Sequence, residues 1–232
     1  MVTPIDIYCE RTGPEFWSEP LNAFTNLAFI AAGLAGLVEA RRHGAGRLVE
    51  ILAWWVGAIG VGSFLFHTIA NRLTMWLDIL PIAVFTLAYT AFAIRRYLGF
   101  GRLPTTAIFL AYYAGAAMLT MSVPEQVREA TAGSTAYLPA FLALFVFGTW
   151  ASIRNHPAGR WLLAGAFLFA LSVTFRALDP HVCDALPFGT HFLWHVLNGA
   201  MLCLLLIAAA RHGGQKAVTY GWGWRRSRAR LP

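Results

Sequence analysis

Apolar residues run along the chain in seven blocks, near 22–40, 49–67, 76–94, 104–121, 136–153, 160–177 and 189–210. Each is close to the about 20 apolar residues an α-helix needs to cross a bilayer. The breaks between them carry turn and helix-stop residues: Arg41-Arg42-His43-Gly44, Asn71-Arg72, Gly99 to Pro104, Pro124-Glu125, Asn155-His156-Pro157 and Asp179-Pro180. No repeat of fixed period runs through the blocks. The pattern predicts an all-α integral membrane protein, a bundle of seven transmembrane helices. It divides the chain into an acidic tail at 1–21, a membrane domain at 22–210 and a basic tail at 211–232.

Composition narrows the class. Of 232 residues, 58% are hydrophobic and 12% charged, with a mean hydropathy of +0.57. Soluble domains average about 25% charged residues, so an ordinary soluble enzyme is excluded, and a disordered chain more firmly still. Seven spans consume roughly 140 residues, which leaves no room for a second domain. The first twenty residues contain Asp6, Glu10, Arg11, Glu15 and Glu19 without an apolar stretch. A cleavable signal peptide is therefore not expected.

The net charge of +7 does not point to nucleic acid, because no continuous basic face remains once the helices are embedded. It sets orientation instead. Alternate breaks plus the C-terminal tail hold fourteen Lys and Arg residues, against four on the other side (Arg11, Arg72, Arg128 and Arg176). This asymmetry predicts an external N-terminus and a cytosolic C-terminus. Tyr220, Trp222 and Trp224 in the basic tail read as an interfacial aromatic belt. Small size and the lack of a signal peptide suit a bacterial inner membrane, with the outer ends of the helices facing the periplasm.

Ionisable residues inside spans are costly and mark function by default. His67 ends the second block, Asp78 begins the third, and His191 and His195 begin the seventh. Under the predicted topology all four lie at one depth, at the external end. His191 and His195, four residues apart, share a helix face, a common zinc pair. His67 supplies a third ligand, and three protein ligands plus an open position is the catalytic zinc pattern. Ser63 shares the face of His67. Asp78 is placed to exchange a proton with water or to orient a ligand. His43, His156 and His212 fall on the cytosolic side, and His181 in an external loop. The close-set acids Asp6, Glu10, Glu15 and Glu19 suit calcium or simply make a solvated tail. Cys9 and Cys183 both face outside, where disulfides persist. A bond between them would close the tail over the metal site. Cys203, inside the seventh span, reads as packing.

These residues carry a resemblance. Tyr8-Cys9-Glu10, the run Glu19-Pro-Leu-Asn22-Ala-Phe-Thr25-Asn26-Leu27, Gly62-Ser63-Phe-Leu-Phe-His67, Leu77-Asp78-Ile-Leu-Pro81, Leu178-Asp179-Pro-His-Val-Cys183-Asp184 and His191-Phe-Leu-Trp194-His195 resemble, in order and separation, the motifs of the alkaline ceramidases. These are seven-span zinc amidases in a superfamily that includes adiponectin-type receptors. The resemblance implies zinc on His67, His191 and His195. It implies a proton-shuttling Asp78 and a Ser63 that holds the carbonyl oxygen. It also implies a Cys9–Cys183 bond and calcium on Glu10 and Glu19, with Tyr8 and Thr12 at neighbouring positions of the motif and Asp6, Glu15 or backbone carbonyls to compensate for altered ligands. The family carries Asp where this chain has Ile7, and Asn where it has Thr12.

The expected activity is zinc-dependent hydrolysis of the ceramide amide, giving a sphingoid base and a fatty acid. The expected partners are ceramide or a related N-acyl lipid and the surrounding membrane lipids, not nucleic acid. The alternatives are an amidase for another N-acyl lipid and a seven-span receptor with a structural metal. A transporter would want polar residues at mid-membrane and on both sides, and here they collect at one end.

Overall fold

The computed structural model describes residues 4–214. In chain order the helices are α1 (Pro20–Thr25), α2 (Leu27–Arg42), α3 (Arg47–Ile69), α4 (Arg72–Arg96), α5 (Arg102–Met121), α6 (Glu125–Ala130), α7 (Leu138–Ile153), α8 (Ala158–Leu178) and α9 (His191–His212). Short 3-10 turns at Ser134–Tyr137 and Asp179–His181 lead into α7 and out of α8. No strand occurs among the described residues. Seven helical segments are long and apolar enough to span a membrane, the first formed by α1 and α2 together. The expected all-helical bundle is present, and this is a multi-pass membrane protein. The basic tail with Tyr220, Trp222 and Trp224 lies outside the described residues.

The spans close into a ring. Helix α2 packs between α3 and α9, α3 packs on α4, α8 joins α9 to α7, and α5 sits outside between α4 and α7. Close approach depends on small residues, as is usual where no hydrophobic force drives helices together in lipid. A Cβ on Gly199 of α9 would lie 2.7 Å from the Ala28 Cβ on α2, and one on Gly33 would lie 2.8 Å from the Ala53 carbonyl oxygen of α3. The outward faces carry Leu34, Ile51, Trp54, Leu110 and Phe167, which suits contact with lipid.

Two local features set the position of α4. Its start is fixed by a capping box, in which the Asn71 side chain accepts from Leu73 and Thr74 N–H while the Thr74 hydroxyl accepts from Asn71 N–H. Pro81 lies inside the helix and lacks the N–H that would bond the Leu77 carbonyl. That freed carbonyl faces Gly62 of α3.

A narrow apolar cavity runs down the centre of the ring. Phe29, Ile59, Phe85, Leu144, Phe169 and Trp194 line it from six different helices, and Tyr89 and Leu205 lie at its deep end. The Tyr89 hydroxyl donates to the Leu205 carbonyl at 2.8 Å and meets the Tyr97 hydroxyl at 3.0 Å, which fixes the ring at the cavity floor.

Candidate metal centre

Three imidazoles converge at one end of the bundle. His67 comes from the last turn of α3, and His191 and His195 from the first turns of α9. Ring centroids are 5.2 Å apart for His67 and His191, 4.7 Å for His67 and His195, and 4.7 Å for His191 and His195. All three are at most 2% exposed. Each offers a nitrogen within 4.8 Å of the others. His67 Nε2, His195 Nε2 and His191 Nδ1 are buried without a hydrogen-bond partner. Three orphaned nitrogens around one point fit a metal ion with open coordination.

The surrounding contacts decide which nitrogen is free. His67 Nδ1 lies 2.6 Å from Glu19 Oε2, a pure acceptor, so it carries the proton and leaves the Nε2 lone pair for a metal. The Thr25 hydroxyl donates to the Leu21 or Asn22 carbonyl and therefore accepts from His195 Nδ1–H at 2.9 Å. Such outer partners fix tautomer and ring orientation. His191 is held at its backbone, where Asp179 Oδ1 accepts from the N–H groups of Thr190 (2.6 Å) and His191 (2.8 Å). The other oxygen, Asp179 Oδ2, accepts from Cys9 N–H at 3.1 Å. One carboxylate therefore starts α9 and docks the N-terminal tail. The Tyr8 ring stacks on His191 at 3.6 Å, and Cys9 is disulfide-bonded to Cys183. The expected disulfide is present, and the tail closes over the three histidines.

Asp78, near the start of α4, lies close enough to His67 to interact with its charge. Its Oδ1 is buried without a partner, and the Ser63 hydroxyl lies near enough to interact with its carboxylate. Arg176, counted in the sequence as a loop charge, instead lies within α8. Its Nη1 donates to the Ala132 carbonyl and Ser134 Oγ, each at 2.8 Å, and its guanidinium lies over the rings of Tyr137 (5.3 Å) and Trp194 (5.9 Å). It also interacts electrostatically with Tyr8 and Asp78. Sequence reasoning missed Arg176, Tyr137 and Asp179 as parts of the site and gave Thr25 no role.

The acidic tail has a different character from the one expected. Glu10 Oε1 accepts from Leu21 N–H (2.6 Å) and Oε2 from Asn22 N–H (2.8 Å), so Glu10 caps α1 from ten residues upstream. Burial pushes its carboxyl up, against the pull of those two donors. Glu19 is buried too, which alone would raise it. The hydrogen bond and charge of His67, with the Arg11 guanidinium, outweigh that and hold it below the usual carboxylate range. Asp6, Thr12 and Glu15 are exposed, and the Tyr8 ring is engaged with His191. These residues do not fit a calcium ion. The Glu10 and Glu19 oxygens are satisfied by protein donors, and the buried Arg11 guanidinium sits directly on Glu19. A divalent cation there would face a fixed positive charge.

A seven-span membrane protein with three histidines converging beside a buried carboxylate is thereby defined. Residues 8–232 match the family model described as Ceramidase, and the chain belongs to that family. A search of curated proteins returns no match. Membership places its chemistry in hydrolysis of ceramide-type amides.

Proposed function

We propose that this chain is a zinc-dependent amidase that cleaves the amide bond of ceramide, releasing a sphingoid base and a fatty acid. One observation carries the reading: three unpartnered imidazole nitrogens converge beside an apolar cavity, with the Asp78 carboxylate close enough to His67 to interact with its charge. Trp194, adjacent to the ligand His195, lines that cavity, as does Phe29, whose ring meets His195 edge-on. From His195 to Leu205 is ten residues, about 15 Å along a helix. That is half the roughly 30 Å hydrocarbon thickness of a bilayer, the length of one lipid chain. A long-chain substrate buries its tail there while its amide meets the polar end.

His67, His191 and His195 would hold the zinc ion. When bound, zinc supplies Lewis acidity that activates water and polarises the amide carbonyl. Asp78 Oδ1 takes the proton of the attacking water as its oxygen bonds to the amide carbon. It returns that proton to the amide nitrogen as the C–N bond breaks, so the leaving group departs as a neutral amine. Ser63, close to Asp78, turns its hydroxyl toward the carbonyl oxygen as negative charge develops there. Tyr8 and the disulfide-tied tail roof the site and limit bulk water.

The basic-residue asymmetry and the Cys9–Cys183 bond both favour an external N-terminus, with the site on the oxidising side, the periplasm if the host is bacterial. The test is product release. Purified protein in detergent is incubated with ceramides of several chain lengths, and free base is followed by mass spectrometry beside His191→Ala. Base from the wild type alone is expected. No base from any ceramide, with zinc bound, would sink the substrate assignment and favour another N-acyl lipid.

A further inference from the structure

Arg11 was expected only as a lone external charge, yet it is among the most buried charged side chains described, 2% exposed in an ion pair whose partner is also 2% exposed. Each of its three nitrogens has a defined acceptor. Nε bonds Glu19 Oε1, Nη1 donates to the Gly13 carbonyl at 3.0 Å, and Nη2 donates to the His67 carbonyl at 3.0 Å. That carbonyl belongs to the last turn of α3, where no intrahelical donor remains and a cation is favoured by the helix dipole. The other Glu19 oxygen accepts from His67 Nδ1–H at 2.6 Å and from Asn22 Nδ2 at 3.1 Å. Arg11 thus grips one histidine twice, at its backbone and, through Glu19, at its ring.

We propose that Arg11 is the resident cation of the N-terminal tail, standing in for a divalent ion and positioning His67 for metal binding. The guanidinium neutralises Glu19, and its planar fork ties the tail to the end of α3. A lone charge such as Lys cannot match that geometry. Where the resemblance implied calcium, this chain has lost a carboxylate, at Ile7, and gained a buried positive charge. Ile7 is exposed, so nothing at that position replaces the missing ligand. The inference rests on the zinc reading for His67 and not on the identity of the lipid.

The experiment therefore measures metals without lipid. Wild-type protein is equilibrated with zinc and with about 1 mM calcium, the weak end of the range for extracellular calcium modules. Bound metal is then determined by elemental analysis. One zinc and no calcium per chain is expected, and stoichiometric calcium would overturn the proposal. Zinc affinity is then compared for wild type, Arg11→Gln and Arg11→Lys, with thermal unfolding in detergent alongside. Loss of an outer-shell partner typically weakens metal affinity about 10–100-fold. That loss is expected for Gln, with Lys intermediate. Gln equal to wild type, or Lys no better than Gln, would overturn the positioning role. If Arg11→Gln does not fold, the wild-type calcium measurement and the Lys variant still decide. Failure to cleave ceramide with these metal results intact would remove the substrate assignment and leave Arg11 in place.

Discussion

The contact between Gly62 and Leu77 offers a sharp test of how the site is assembled. A Cβ added at Gly62 would lie 2.0 Å from the Leu77 carbonyl oxygen and 2.8 Å from its carbon. Both are backbone atoms, so no side chain can swing aside. Ordinary van der Waals contact begins at 3.4 Å, and Gly62→Ala must therefore part α3 and α4 by about 1.4 Å at this level. Helix α3 is held by the Gly33 contact with α2 and by the Arg11 bond to the His67 carbonyl, so α4 is the helix that yields. Asp78 directly follows Leu77 and moves with it. A misplacement of about 1 Å costs on the order of 10²-fold in rate, or about 2.7 kcal/mol of barrier. The expected result is a kcat near one hundredth of wild type with one zinc still bound, read from initial rates of base release and elemental analysis on the same sample. Gly57→Ala, on the same helix with nothing within 4 Å, is the control. It should keep full activity and gain about 0.5–1 kcal/mol of helix stability. If Gly62→Ala kept more than about a third of wild-type kcat, or lost zinc in proportion to activity, the argument that it acts through α4 and Asp78 would be refuted.

Other consequences can be measured in the same preparations. Asp78→Asn should retain zinc and lose about 10²–10⁴-fold in kcat, the usual contribution of a positioned acid–base group; unchanged turnover would remove Asp78 from the chemistry. Thr25→Val removes the acceptor for His195 Nδ1–H and should weaken zinc binding about tenfold or more, measured by competition with a chelator of known affinity. Leu205→Trp shortens the cavity at its floor, and the ranking of ceramides should shift toward shorter acyl chains. An unshifted ranking would place the lipid tail elsewhere.

The seven spans were legible because lipid demands long apolar helices and leaves few alternatives for the backbone. The histidine triad was legible for a related reason. His191 and His195 share a helix face, and His67 and Asp78 sit at block ends that topology brings to one depth. The α6 turn and the 3-10 segment before α7 were not anticipated, since residues 122–137 carry no strong period. What surrounds the metal centre was harder still. Thr25, Glu19 and Asp179 act through the fold of the short α1 segment and the disulfide-tied loop, contacts that no local spacing encodes. Arg11 and Arg176 were counted as topology charges because they stand outside or at the edge of apolar runs, yet both point inward and are satisfied there. The acidic tail suggested calcium because charge density is visible in a sequence, whereas the donors that satisfy Glu10 and Glu19 are not.

The ring closes between the first and last spans, and this has a consequence for biosynthesis. A nascent chain that has inserted α2 through α8 owns His67 but neither of the other two ligands, and its Cys9 has no partner until the segment just before α9 emerges. The three-histidine cluster can therefore be complete only after the final span has entered the membrane, whereas the disulfide needs only the segment before it. Until then the chain holds one imidazole of the three, and on the zinc reading no hydrolytic centre would form in the membrane that houses it. On that reading, capture of the metal would mark that synthesis has run through the last helix.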